Sequence, residues 1–335
     1  MSSLTRPGQG SRSRPAGWAR PLIALLAISS AACGQGGLSN SEVYSPPPAL
    51  ALVALVDPSS GRMAGELHQL QDVIRTTATP GEAVVVMILQ PSYGQSYVVR
   101  SGDSLSKIAS GHNVSLAALE AANPQLGPLS GRNWKLIHPN EQVMIPDGAA
   151  QGALLLVSRA PAGPPPPNLI RLPREPSNPT DFQRAQYNRT VASDNATNAA
   201  RIAAWRAEAD KSLGPWQQQV VEELGKKAAA QLPVARAPNQ QIMTASLVAG
   251  LATLSGLQGR RLLLLLGGAE SGPGVLAPRS FADVNLVIAN LADSKAAAAW
   301  TSAGTNAGAA SVSALDPALT KLQLAQVVNH QAPGQ

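Results

Sequence analysis

Hydrophobic residues in this chain come either in short unbroken runs or in stripes at helical spacing. Residues 49–56 form a continuous apolar run, as in a parallel strand covered on both faces. Met63, Leu67, Leu70 and Ile74 then recur at helical intervals. Pro80-Gly81 makes a turn, and residues 83–89 form a second apolar strand. Residues 153–157 read as one more strand. Residues 181–230, rich in Ala, Gln, Glu and Arg, predict one or two long helices, with Gly214-Pro215 as the place for a break. A helix over 245–257, a strand over 262–266, a strand over 284–289, a helix over 295–303 and a short edge strand over 311–314 complete the pattern. This alternation predicts an α/β fold: a doubly wound, mainly parallel sheet with helices on both faces.

Between the strands at 83–89 and 153–157 lies a different pattern. Tyr97, Val98 and Val99 favour an extended strand, which Gly102-Asp103 breaks. Ser104 is placed to cap a helix whose inner face is Leu105, Ile108 and Ala109. Ser115 can cap a second helix, with Leu116 and Leu119 inward, and Asn123-Pro124 stops it. Val143, Met144 and Ile145 give a returning strand, closed by Pro146. The predicted order is βααβ, in a unit of about 50 residues, near the lower limit for a self-sufficient core.

These three blocks resemble the LysM domain, a small module that binds N-acetylglucosamine glycans such as peptidoglycan and chitin. The resemblance implies a shallow groove between the first strand–helix loop and the loop before the last strand. Here those loops carry Gly102, Asp103, Ser104 and Leu105 on one side, and Ile137, His138, Pro139 and Asn140 on the other. It also implies that apolar side chains and backbone amides meet the N-acetyl groups, without a metal or an acid–base pair. Residues 126–135 are longer than that loop usually is. Trp134, within them, either stacks on a sugar face or covers the module's core.

The end of the first strand carries Asp57-Pro58-Ser59-Ser60-Gly61, at the sheet edge where ligands bind in such folds. This arrangement resembles a von Willebrand factor type A domain. That family holds one divalent ion on an Asp-x-Ser-x-Ser loop, a later Thr and a later Asp. Asp57, Ser59 and Thr244 match three of those positions, Thr244 being expected just before a helix. Gly61 stands where the third loop oxygen belongs, and Gly267-Gly268 where the later aspartate belongs. The expectation is therefore no cofactor, or magnesium or manganese if the loop does hold an ion. The alternative role for Asp57 is to cap the following helix. The resemblance implies a discontinuous host domain, residues 49–90 and 150–332, with the LysM unit at 96–147 inserted between neighbouring strands.

Residues 1–32 contain four arginines, Arg6, Arg12, Arg14 and Arg20, and no acid, followed by a short apolar run and Ser29-Ser30-Ala31-Ala32-Cys33. That order predicts a secretory signal over 1–32, with an apolar run too short for a lasting membrane span. It resembles a bacterial lipobox, which implies lipid on Cys33, the chain's single cysteine, and an exported protein held at the cell envelope. Residues 33–48, ending in three prolines, are the expected tether, and residues 161–179 a second proline-rich surface stretch. Without the four arginines the formal charge drops from +6 to +2. A charge that small argues against a nucleic-acid partner.

Enzymes that act on cell walls leave traces that can be looked for. No cysteine remains beyond Cys33, His68, His112, His138 and His330 are scattered, and no Gly-x-Ser-x-Gly is present. Gly267, Gly268, Gly272 and Gly274 lack the Lys-Ser/Thr ending of a phosphate loop. Glu66, Glu82, Glu270 and Asp283 are carboxylates of the type a glycan hydrolase pairs, though no spacing selects them. The expected function is binding rather than catalysis. The expected partners are an N-acetylglucosamine glycan, a membrane through the lipid, and a protein at the α/β domain. A remodelling hydrolase and a metal-dependent adhesion protein are the alternatives.

Overall fold

A computed structural model describes residues 41–58, 63–89, 94–146, 154–230, 239–274, 276–291 and 293–330. In chain order the elements are β1 (Ser41–Val43), β2 (Leu50–Val56), α1 (Met63–Thr77), β3 (Ala83–Ile88), β4 (Gln95–Val98), α2 (Leu105–Gly111), α3 (Leu116–Ala122), β5 (Gln142–Ile145) and β6 (Leu154–Arg159). There follow β7 (Asn168–Ile170), α4 (Asp181–Ala230), α5 (Gln240–Ser255), β8 (Arg260–Leu266), β9 (Val284–Ala289), α6 (Ser294–Asn306), β10 (Ser311–Ala314) and α7 (Pro317–His330).

The central sheet runs β10-β9-β8-β2-β3-β6. Every neighbouring pair is parallel except β3 with β6, which is antiparallel. All seven residues of β2 are buried, as its unbroken apolar run requires. Its side chains alternate between two cores. Leu50, Leu52, Ala54 and Val56 join α1, α4 and α7 on one face, while Ala51, Val53 and Leu55 join α5 and α6 on the other. Burial of each large apolar side chain is worth about 1.5–3 kcal/mol, so this central strand is where the sheet is held hardest.

Helix α4 is a single element of 50 residues and runs through Pro215. The break allowed for at Gly214-Pro215 does not occur. Leu213, Trp216, Val220 and Leu224 are buried on both sides of the proline. In addition, Gln217 donates from Nε2 to the Ile74 and Arg75 carbonyls at the end of α1. Packing on either side therefore outweighs the lost helical hydrogen bond.

Residues 41–44 depart from the expected tether. β1 pairs antiparallel with β7, which lies inside the second proline-rich stretch. Tyr44 packs edge-on against Trp205 of α4, ring centroids 5.6 Å apart. Asn198 of α4 bonds both the N–H (2.7 Å) and the carbonyl (2.8 Å) of Ile170, and Trp205 donates to the Pro164 carbonyl. Helix α7 was not expected either. Its Leu324 and Val328 are buried one turn apart, but the other apolar residues around them blur the stripe. Among the described residues, no helix is long and apolar enough to cross a membrane.

The chain between β3 and β6 folds as βααβ, with β4 and β5 antiparallel and a core of Val99, Leu105, Ile108, Leu119 and Val143. Both predicted caps form: Ser104 accepts from Lys107 N and Ser115 from Ala118 N. This module is joined to the sheet by more than its two chain ends. Leu129 and Met144 belong to the core that α5 and α6 cover. Asn123, fully buried, brackets Met144 with two hydrogen bonds of 2.7 Å, one to its N–H and one to its carbonyl. Gln125 lies against Gly256 at the end of α5, where a Cβ would come within 2.6 Å of its Cγ.

Candidate functional site

β4 and β5 end together. Val99 N donates to the Glu141 carbonyl and Asn140 N to the Val99 carbonyl, just past the last ladder pair. Two turns therefore leave from one end of the ladder, one at residues 100–103 and one at 138–141.

The turns are built alike. In the first, Asp103 N donates to the Arg100 carbonyl, and Gly102 takes the left-handed conformation at φ +85°. In the second, Glu141 N donates to the His138 carbonyl, and Asn140 takes φ +71°. Glycine and asparagine are the residues that tolerate that position, and Pro139 presets the one before it. Each turn is then sealed by the acid in its last position. Asp103 Oδ2 accepts from Arg100 N at 2.7 Å and from the Tyr97 hydroxyl at 2.8 Å. Glu141 Oε2 accepts from His138 N at 2.8 Å, and Arg132 grips both carboxylate oxygens at 2.6 and 3.2 Å. The same Arg132 also donates to the Leu136 carbonyl.

The electrostatics follow from these bonds. The Arg100 N–H and then the Tyr97 hydroxyl hold the Asp103 carboxyl below its usual range, while the same bond raises the Tyr97 hydroxyl. Partial burial pushes the Glu141 carboxyl up, but the Arg132 guanidinium and the His138 N–H outweigh it and hold it low. Both acids are therefore structural anions, occupied by donors of this chain.

Of the residues expected to meet a glycan, Gly102, Asp103 and Ser104 lie together on the first turn, and Ile137, His138, Pro139 and Asn140 on the second. Leu105 differs. It is only 4% exposed, and its side chain packs into the module's core. Trp134 covers core: a Cβ on Gly127 would fall 2.3 Å from its ring. Its ring therefore fills the place that Gly127 leaves open, in contact with the module's apolar cluster. Sequence reasoning missed Tyr97, Arg132 and Glu141 as site residues. An acid three positions after the start of a turn with a central Gly or Asn was the signal available for two of the sealing groups.

Two of the residues expected to hold an ion at the sheet edge, Asp57 and Thr244, make hydrogen bonds within this chain. Thr244 sits one turn inside α5 rather than before it, and its hydroxyl donates to the Gln240 carbonyl. Asp57 is buried at the end of β2, with its N–H donating to the Glu66 carboxylate at 3.0 Å. Gly267 has no Cβ where Glu66 Oε1 would lie 2.0 Å away, so the edge is filled by Glu66 of α1. Ser59 and Cys33 lie outside the described residues. Among the described residues, no three His, Cys, Asp or Glu side chains gather to hold a metal. Glu82, another of the carboxylates considered, lies before β3 at the opposite end of the sheet, fully buried.

With this geometry in view, comparison with known protein families matches residues 97–146 to the LysM domain. Those residues form a LysM domain. No solved structure matches the chain. The LysM match brings with it the ligand class of peptidoglycan- and chitin-type glycans. The paired turns of this LysM domain are the two loops that the sequence reading expected to border a glycan groove.

Proposed function

We propose that this protein binds N-acetylglucosamine-containing glycan of the cell envelope in the LysM groove, without cleaving it. The α/β domain serves as a rigid mount for that groove and a surface for a protein partner, and lipid on Cys33 holds the chain at a membrane. The observation that carries the binding reading is the pair of turns at 100–103 and 138–141, each sealed in place before any ligand arrives. A preformed cleft spares the ordering cost that a loose loop would add to binding.

The acids of the groove favour binding over hydrolysis. A glycosidase needs one carboxyl kept protonated to act as general acid. Asp103 and Glu141 are instead held low and committed to donors. For the host domain, the sheet order with its single antiparallel edge strand supports a von Willebrand factor A-like assignment. The loop chemistry for the ion is degenerate in it.

Co-sedimentation of the full chain with insoluble peptidoglycan tests the reading. Retention that soluble N-acetylglucosamine oligomers compete away is the expected result. Failure to sediment, or soluble muropeptides in the supernatant, would overturn it.

A further inference from the structure

The two turns of the groove are sealed by carboxylates in the same way but from different places. Tyr97, the side-chain partner of Asp103, belongs to the LysM domain's own first strand. Arg132, the partner of Glu141, belongs to the long loop, and that loop is fixed by the sheet. Arg159, the last residue of β6, donates from Nη1 to the Leu129 carbonyl at 2.8 Å. Gly131 lies against the same nitrogen, 3.2 Å from where its Cβ would be. Leu129 itself is buried in the core under α5 and α6. The loop then folds back, Arg132 N donating to the Gly127 carbonyl at 3.2 Å, and the Arg132 side chain crosses to Glu141.

We propose that Arg132 and Arg159 are positioning residues for the glycan groove. Arg159 on the edge of the sheet places the long loop, and Arg132 on that loop sets the turn at 138–141. One wall of the groove is thus internal to the LysM domain, and the other is set by the α/β domain. This inference rests on the reading that the groove binds glycan.

The chemistry of the pair suits the role. The side chains of Arg132 and Glu141 are 20% and 24% exposed, so their bidentate bond is shielded from water more than a surface ion pair. Glu141 also accepts from the His138 N–H, at 2.8 Å. Without the guanidinium, the carboxylate is free to rotate away, and the left-handed Asn140 loses the brace of its turn.

The test uses the full chain and the pentamer of N-acetylglucosamine, titrated calorimetrically. Arg132→Met is expected to weaken binding by about tenfold, the loss of one charge-assisted bond. Glu141→Gln should do the same, and the double variant should be no worse than either single one, since both remove one interaction. Arg159→Met should weaken binding about threefold. Arg132→Lys should recover part of the loss.

A second readout is the acid limb of binding, governed by Glu141 with Arg132 and His138 as its charged neighbours. Replacing Arg132 with methionine should move that limb to higher pH, a shift that a general loosening of the fold would not produce. If Arg132→Met does not fold, Arg132→Lys is read on the same profile and should show a smaller upward shift. Wild-type affinity with an unshifted acid limb in the variants would overturn the proposal. Absence of pentamer binding by the wild-type protein would instead overturn the binding reading on which it rests.

Discussion

Single residues decide much of what this chain can do, and Glu82 is the sharpest case. Burial, only partly offset by the Thr79 N–H and by Arg260, raises its carboxyl from 4.5 to about 8. The folded protein therefore keeps a proton that the unfolded chain releases near 4.5. Stability should fall as pH rises between those values, and the loss should be complete above the folded value. Urea unfolding at about pH 5 and about pH 9 should show a drop of a few kcal/mol for the wild type and a flatter response for Glu82→Gln. At Gly127 the expected outcome is steric. Gly127→Ala forces the Trp134 ring to move and should cost about 1–3 kcal/mol, read as a lower midpoint in the same urea experiment. Both residues sit in the sequence without any mark of their burial. Glu82 is a surface-type acid after a Pro-Gly turn, and only the closed sheet edge shows that it is covered.

At the scale of elements, the strands were the most legible part. A run such as Leu-Ala-Leu-Val-Ala-Leu-Val has little choice but to become a central strand, and β2 has the predicted place. The helix caps Ser104 and Ser115 were equally plain, because capping is local chemistry. Helix α4 was less so: nothing near Pro215 in the sequence reveals that Gln217 bonds the end of α1. α7 and the β1–β7 pair depended on partners distant in the chain. Turns do form at 100–103 and 138–141, where loops were expected, but their seals were not legible, since Arg132 and Glu141 meet across nine residues through a folded loop. Helix α4 yields a prediction of its own. Gly214 is exposed, with open space around its missing Cβ, so Gly214→Ala should raise stability by about 0.5–1 kcal/mol. An unchanged or lower thermal midpoint would mean that Gly214 serves a strain beside Pro215.

Across the whole molecule, the two folds share a core rather than a linker. Leu129 and Met144 come from the LysM domain but belong to the same apolar cluster as Met243, Leu247 and Trp300. Calorimetry of the full chain should then show one cooperative unfolding transition, not two. Leu129→Ala should lower that single midpoint, at a cost of about 2–5 kcal/mol, without splitting it. Two resolved transitions would show that the module melts on its own.

The pinning of Ser41–Val43 to β7 has a further consequence for reach. If Cys33 carries a lipid, only seven residues lie between it and that fixed point. A leash that short extends no more than about 28 Å, even drawn taut. The body would ride low over its bilayer, able to hold only those sugar strands that come close to the lipid surface.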